Sequence, residues 1–134
     1  MGDRETGGTA RTGTWPAFTP IPLRTHAAID VAVLAFVLVS PWLHGYSQHR
    51  GATIMAVLCF VFGMGLNVAT DYPAGLVRML PMKFHRFMEF DSPPITLVVP
   101  WMSFADAGAF PWVMTLAGLA MVADASLTRP VAPT

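Results

Sequence analysis

Long apolar runs separated by short polar segments dominate the pattern along the chain. The runs cover residues 27–43, 52–70, 92–105 and 110–123. A membrane-spanning helix needs roughly 17–25 mostly apolar residues, so the first, second and fourth runs predict spanning helices. The fourth reaches residue 127 if Asp124 lies at the membrane interface. The third is short and contains Pro93, Pro94 and Pro100, so it predicts a crossing only if residues 87–90 contribute.

Basic residues fall mainly on one side of the predicted membrane. With four crossings, seven of the eight lysines and arginines share a side: Arg4, Arg11, Arg24, Arg78, Lys83, Arg86 and Arg129. Arg50 lies on the other side. Basic residues favour the cytoplasmic side of a membrane. We therefore predict an all-α membrane protein with four transmembrane helices and both termini cytoplasmic.

The composition agrees with a lipid environment. Charged residues make up 12% of the chain and the mean hydropathy is +0.52, whereas soluble domains carry about 25% charged residues. The net charge of zero gives no basic surface for nucleic acid. The single cysteine, Cys59, excludes an intrachain disulfide. Residues 1–25 are polar and do not have the pattern of a signal peptide, so we expect a soluble arm.

The chain contains an internal repeat. A shift of 59 residues places His26 on His85, Asp30 on Glu89, Pro41 on Pro100 and Trp42 on Trp101. Further along, a shift of 53 places Asp71 on Asp124. We therefore predict two tandem helical hairpins of the same orientation, a parallel repeat. The predicted divisions are an N-terminal arm (1–25), a first hairpin (26–71), an interfacial connection (72–84), a second hairpin (85–127) and a C-terminal tail (128–134).

The two Pro-Trp pairs lie at the predicted outer ends of the first and third runs. Tryptophan favours the headgroup region, where its ring is half buried and its N–H is hydrated. Proline ends or bends a helix. We therefore interpret Trp42 and Trp101 as interface anchors, together with Trp15 and Trp112.

These residues also carry a resemblance to a known family. The segment 25–46, with Asp30 near its start, Ser40-Pro41-Trp42 and Gly45 at its end, resembles the SPW-repeat family of small bacterial membrane proteins. The second hairpin departs from that pattern, since Val99 stands where the serine is expected. The resemblance implies a four-helix membrane fold with an acidic residue near the start of each unit. It implies no catalytic role.

Two His/acid pairs are the candidate functional residues. His26 and Asp30, like His85 and Glu89, are four residues apart, so each pair shares a helix face. The repeat predicts that the pairs approach each other. Two interpretations stay open: a proton relay, metal site or axial ligand for haem or (bacterio)chlorophyll, or ordinary polar residues at a helix start. The acids Asp71 and Asp124 are expected on the same cytoplasmic side.

No motif predicts an enzyme, since the chain has no nucleophile elbow, phosphate loop or zinc-protease helix. We expect a non-catalytic accessory subunit of a larger inner-membrane complex, with the N-terminal arm laid over a partner. Energy-transducing complexes, photosynthetic (reaction centre–light-harvesting) or respiratory, are the expected partners by class. The alternatives are a haem- or pigment-binding protein using His26 and His85, and a small transporter or channel with a path past Asn67.

Overall fold

The computed structural model describes residues 21–128, which form five helices and no strand within that range. The helices are α1 (Leu23–Leu43), α2 (Arg50–Ala69), α3 (Met82–Asp91), α4 (Pro93–Ser103) and α5 (Phe110–Leu127). Three of them, α1, α2 and α5, are long and apolar enough to cross a membrane. The predicted arm and tail, including Trp15, lie largely outside the described residues.

The third apolar run is built differently from the other three. Its residues form α4, of 11 residues, and the residues 87–90 that a crossing needs belong to the separate 10-residue α3; neither helix has the length of a span. Ser92 keeps helical dihedral angles, φ −75° and ψ −26°, so the backbone stays right-handed between α3 and α4. Pro93 and Pro94 lack the N–H groups that would continue the hydrogen bonding of α3. The division therefore follows from the two prolines.

The Pro-Trp pairs lie inside helices and do not end them. Pro41 and Pro100 are both fully buried, and α1 and α4 continue beyond them to Leu43 and Ser103. Of the two outcomes that the sequence predicted, an end or a bend, the helix does not end at the proline itself. In α1 the Val37 carbonyl, which has no N–H partner at Pro41, accepts from the Ser40 hydroxyl at 2.7 Å.

The tryptophans beside these prolines point outward. Trp42 is 63% exposed and Trp101 is 39% exposed. Trp101 donates its indole N–H to Thr115 Oγ1 at 2.9 Å and meets Trp112 edge to face at 4.8 Å. The exposed rings are compatible with interface anchors, which remain a prediction.

Glycines set the distance between helices at two places. α1 packs against α2 and α5, and α5 also packs against α4. A Cβ on Gly63 would lie 2.5 Å from Leu34 Cδ2, and one on Gly118 would lie 2.5 Å from Thr96 Oγ1. Small residues permit such close helix contact in membrane proteins.

Gly118→Ala should destabilise the protein, whereas Gly65→Ala should not. The added methyl of Gly118→Ala meets Thr96 and Leu97, and overpacking of this kind costs roughly 1–3 kcal/mol. Gly65 lies in α2 with nothing within 4 Å of its added Cβ, so alanine there should stabilise the helix by up to about 1 kcal/mol. Thermal unfolding of both variants in detergent measures the difference; equal transition temperatures would contradict the close contact.

Two short backbone bridges occupy equivalent places in the two halves. Ile21 pairs with Thr128, and Leu80 pairs with Thr70, both in parallel. Ile21 and Leu80 are 59 residues apart, and Thr70 and Thr128 are the C-cap residues of α2 and α5. The segment before α1 is thus joined to the end of α5, and the segment before α3 is joined to the end of α2. This arrangement brings the first turns of α1 and α3 together.

Candidate functional site

Five ionisable side chains meet where the first turns of α1 and α3 approach α5. We call them the His–carboxylate cluster: His26, Asp30, His85, Glu89 and Asp124. None of the five is more than 3% exposed. The local fold accounts for their placement, because Pro22 and Pro81 occupy the N-cap positions of α1 and α3 and each histidine follows its proline by four residues. Each acid then lies one further turn along the same face.

The histidine Nε2 atoms face the carboxylates of both pairs. His26 Nε2 lies 3.5 Å from Asp30 Oδ2 and 3.3 Å from Glu89 Oε1. His85 Nε2 lies 3.4 Å from the same Asp30 oxygen and 3.5 Å from the same Glu89 oxygen. The two pairs, separated by 59 positions in the chain, therefore share one buried centre.

The histidine Nδ1 atoms are held from outside this centre. His26 Nδ1 lies 2.7 Å from Asp124 Oδ2, and His85 Nδ1 lies 3.0 Å from Thr70 Oγ1. The Thr70 hydroxyl donates its proton to the carbonyl of Leu66 at 2.6 Å, so it accepts from His85. Asp124, as a carboxylate, likewise accepts from His26. Both rings therefore carry a proton on Nδ1.

Tyr72 lies against both imidazole rings. Its ring centroid is 5.0 Å from that of His85 and 6.2 Å from that of His26. Its hydroxyl donates to Asn67 Oδ1. Burial, followed by the charges of Asp30 and Glu89, raises the pKa of the Tyr72 phenol, so Tyr72 stays a neutral donor at physiological pH. The amide oxygen of Asn67 is thus occupied by Tyr72, which follows it by five residues.

The structure separates two acids that the sequence treated as equivalent. Asp124 belongs to the cluster, but Asp71 is 66% exposed and lies 3.9 Å from Arg78 Nε. The reason is the position of the helix ends. α2 ends before Asp71, whereas α5 continues past Asp124 to Leu127. The helix ends correspond at a shift of 58, which matches Thr70 with Thr128 and replaces the predicted shift of 53.

A second His/acid contact lies in the loops at the opposite end of the helices. His49 Nε2 is 3.5 Å from Asp106 Oδ1, and both side chains are far more exposed than the cluster. Arg50 begins α2, and His49 precedes it as the N-cap. This exposed pair provides a natural control for the buried cluster.

The haem and (bacterio)chlorophyll hypothesis does not fit this centre well. The Nε2 atoms of His26 and His85 would be the axial ligands, and both face carboxylate oxygens at 3.3–3.5 Å. A tetrapyrrole would have to displace Asp30 and Glu89 from their places. The donor set of two imidazoles and two carboxylates is instead one that metal ions use directly.

Sequence reasoning missed the roles of Thr70 and Tyr72. Thr70 orients His85, and Tyr72 covers the two rings. The available signal was their position just after an apolar run, which only shows that they follow a helix. Their approach to the cluster depends on the path of the connection after α2.

Comparison of the chain with models of protein families, with curated proteins and with solved structures found no match. The resemblance to the SPW-repeat family therefore stays a prediction carried by the residues quoted above. The fold and the site define a class: an all-helical protein with three helices suited to crossing a membrane and one buried His–carboxylate cluster.

Proposed function

We propose that this chain is a non-catalytic accessory subunit of a bacterial inner-membrane complex, crossing the membrane four times with both termini cytoplasmic. In this proposal α3 and α4 together make the third crossing. The complex belongs to the energy-transducing class, photosynthetic or respiratory, which commonly uses small helical subunits. The proposal that the subunit is non-catalytic rests on one observation: the His–carboxylate cluster is buried and closed to solvent.

Closure favours a structural role for the cluster. Its five side chains are at most 3% exposed and contact one another across the two halves of the molecule. A catalytic site has to admit a substrate, whereas structural centres are characteristically closed. The cluster joins α1, α3 and α5, so it fixes the two hairpins relative to each other and presents their outer surfaces as one unit.

The outer surfaces are strongly apolar along their full length. Large apolar side chains are exposed on α2 and α5, among them Ile54, Leu58, Phe62, Leu116 and Leu119. Exposed apolar area on this scale needs lipid or a membrane partner to cover it. The polar cluster lies near one end of the helices, away from the midplane where transporters hold their substrates. Both features support a packing role over transport.

Cysteine labelling tests the four-crossing topology. With Cys59→Ser as background, Gln48→Cys and Asp106→Cys should react with a membrane-impermeant maleimide in intact spheroplasts. Lys83→Cys and Thr134→Cys should react only after lysis. If α3 and α4 do not cross, the pattern changes at two sites: Asp106→Cys is then protected and Thr134→Cys is accessible. The joint change at these two sites distinguishes four crossings from three.

Extraction of native membranes in mild detergent tests the accessory role. The tagged chain should elute with larger subunits in fixed stoichiometry, and Trp15→Ala/Phe18→Ala in the N-terminal arm should weaken that association. Thr12→Ala, in the same arm, removes no aromatic ring and serves as the control. A chain that elutes alone from membranes where it is produced at its natural level would contradict the accessory role.

A further inference from the structure

We infer that the His–carboxylate cluster binds one divalent first-row transition-metal ion. Four of its side chains supply the ligands, and we call them the ligand quartet: His26, Asp30, His85 and Glu89. Each offers one ligand atom, and the four atoms all lie within 4.8 Å of one another. A single ion therefore reaches all of them. This inference stands apart from the accessory role, because neither requires the other.

The protonation of the histidines leaves the correct atoms free. Both rings donate from Nδ1, His26 to Asp124 and His85 to Thr70. The neutral imidazole then carries its lone pair on Nε2, the atom that faces the centre. Metal-binding histidines characteristically donate their other N–H to a carboxylate or another oxygen acceptor, which fixes the ring. Asp124 and Thr70 occupy those outer positions here.

The inward-facing atoms lack other partners. Both Nε2 atoms and both oxygens of each quartet carboxylate form no hydrogen bond with any described residue. All belong to side chains that are at most 2% exposed. Leaving buried polar atoms without partners is costly, and one ligand atom from each of the four side chains faces a common centre. An ion at that centre gives every side chain of the quartet a partner.

The spacing of these atoms matches metal coordination better than hydrogen bonding. The four N–O distances across the centre are 3.3, 3.4, 3.5 and 3.5 Å. A charge-assisted N–H···O bond is shorter, about 2.7–2.9 Å. Ligand atoms held about 2.0–2.2 Å from a tetrahedral ion lie about 3.3–3.6 Å apart, by simple geometry. All four N–O distances fall within that interval, and the N–N and O–O separations are at most 4.8 Å.

The donors select the class of ion. Two imidazole nitrogens with two carboxylate oxygens suit Zn²⁺, Fe²⁺, Mn²⁺ and their neighbours, whereas Ca²⁺ and Mg²⁺ prefer oxygen alone. The negative charge of the cluster also favours a cation. Three carboxylates lie in the cluster, and the only lysine or arginine ion pair among the described residues joins Arg78 to Asp71, outside it. A divalent cation neutralises Asp30 and Glu89, whose burial as unpaired charges would otherwise be expensive.

Metal analysis of the full-length chain tests this inference. The chain is purified in mild detergent with a tag free of histidine, stripped with a chelator and titrated with Zn²⁺ alone. We expect one equivalent bound per chain, with no competition from Mg²⁺. Co²⁺ in place of Zn²⁺ should give visible d–d absorption typical of a site with nitrogen ligands.

Matched variants locate the site within the chain. His85→Gln should lower the affinity for Zn²⁺ more than 100-fold, whereas His49→Gln, in the exposed pair, should leave it unchanged. Thr70→Val removes an outer contact only and should weaken binding about 10–100-fold. A folded wild-type chain that binds Zn²⁺ no better than its His85→Gln variant would overturn the inference, as would loss of binding in His49→Gln. If His85→Gln does not fold, the wild-type titration and the Co²⁺ spectrum still decide.

Discussion

His26→Leu should lower the free energy of unfolding by about 3–5 kcal/mol, the usual cost of removing one partner from a buried ionic contact. His26 is the cluster residue with the most carboxylate neighbours: Asp124 at 2.7 Å, Glu89 at 3.3 Å and Asp30 at 3.5 Å. Without the imidazole, three buried carboxylates face one another with one fewer donor among them. This destabilisation is expected with or without a bound metal ion.

Unfolding in detergent, followed by circular dichroism, measures this cost. His44→Leu is the matched control, because His44 is an exposed histidine at the other end of α1. A surface change of this kind should stay within about 0.5 kcal/mol. Adding Asp124→Leu to His26→Leu should recover part of the loss, since both partners of the 2.7 Å contact are then apolar. Equal stability of the two single variants would show that the cluster does not hold the hairpins together.

The helical part of the fold follows from the apolar runs, and the helix ends do not. The run at 27–43 predicted α1, but the helix begins at Leu23 because the N–H groups of Thr25 and His26 both donate to the carbonyl of Pro22. Hydropathy marks the part of a helix that suits lipid, which is shorter than the helix itself. The third run shows the opposite case. By composition, residues 87–90 and 92–105 could form one helix, but Pro93 and Pro94 place them in two, α3 and α4.

The repeat predicted half of the site from local spacing alone. Four residues separate His26 from Asp30 and His85 from Glu89, and the same spacing in both halves placed the pairs at equivalent positions. The sequence did not predict that Asp124 joins the two pairs, because its contact with His26 joins residues 98 positions apart. The hydrophobic periodicity of a sequence gives no information on a contact between residues so far apart. It depends on where α5 ends relative to α1.

Gly75→Ala should have an effect comparable to or larger than His26→Leu, although Gly75 is not in the cluster. A Cβ on Gly75 would lie 1.7 Å from the carbonyl oxygen of Thr70 and 3.2 Å from that of Tyr72. These are backbone atoms, so the connection after α2 has to move to admit the methyl group. Changes above about 4 kcal/mol are exceptional for single substitutions and arise from backbone strain of this kind.

Movement of this connection reaches the cluster through two side chains. Thr70 accepts from His85 Nδ1, and Tyr72 covers both imidazole rings. The connection is fixed on the end of α2 by backbone hydrogen bonds, including Leu76 N–H to the carbonyl of Val68 at 2.9 Å and Met79 N–H to the carbonyl of Ala69 at 2.8 Å. Within the connection, Gly75 N–H donates to the carbonyl of Tyr72 at 2.8 Å. Displacing it should release His85 from its outer acceptor. Gly75→Ala is therefore expected to lower both stability and Zn²⁺ affinity.

Gly65→Ala separates this mechanism from a general effect of removing glycine. The same methyl group is added in α2, where it meets nothing within 4 Å, so stability and Zn²⁺ affinity should be retained. Parallel unfolding curves and Zn²⁺ titrations of the two variants give the comparison. If Gly75→Ala retains both properties, the connection does not constrain Thr70, and the orientation of His85 has to come from α3 alone.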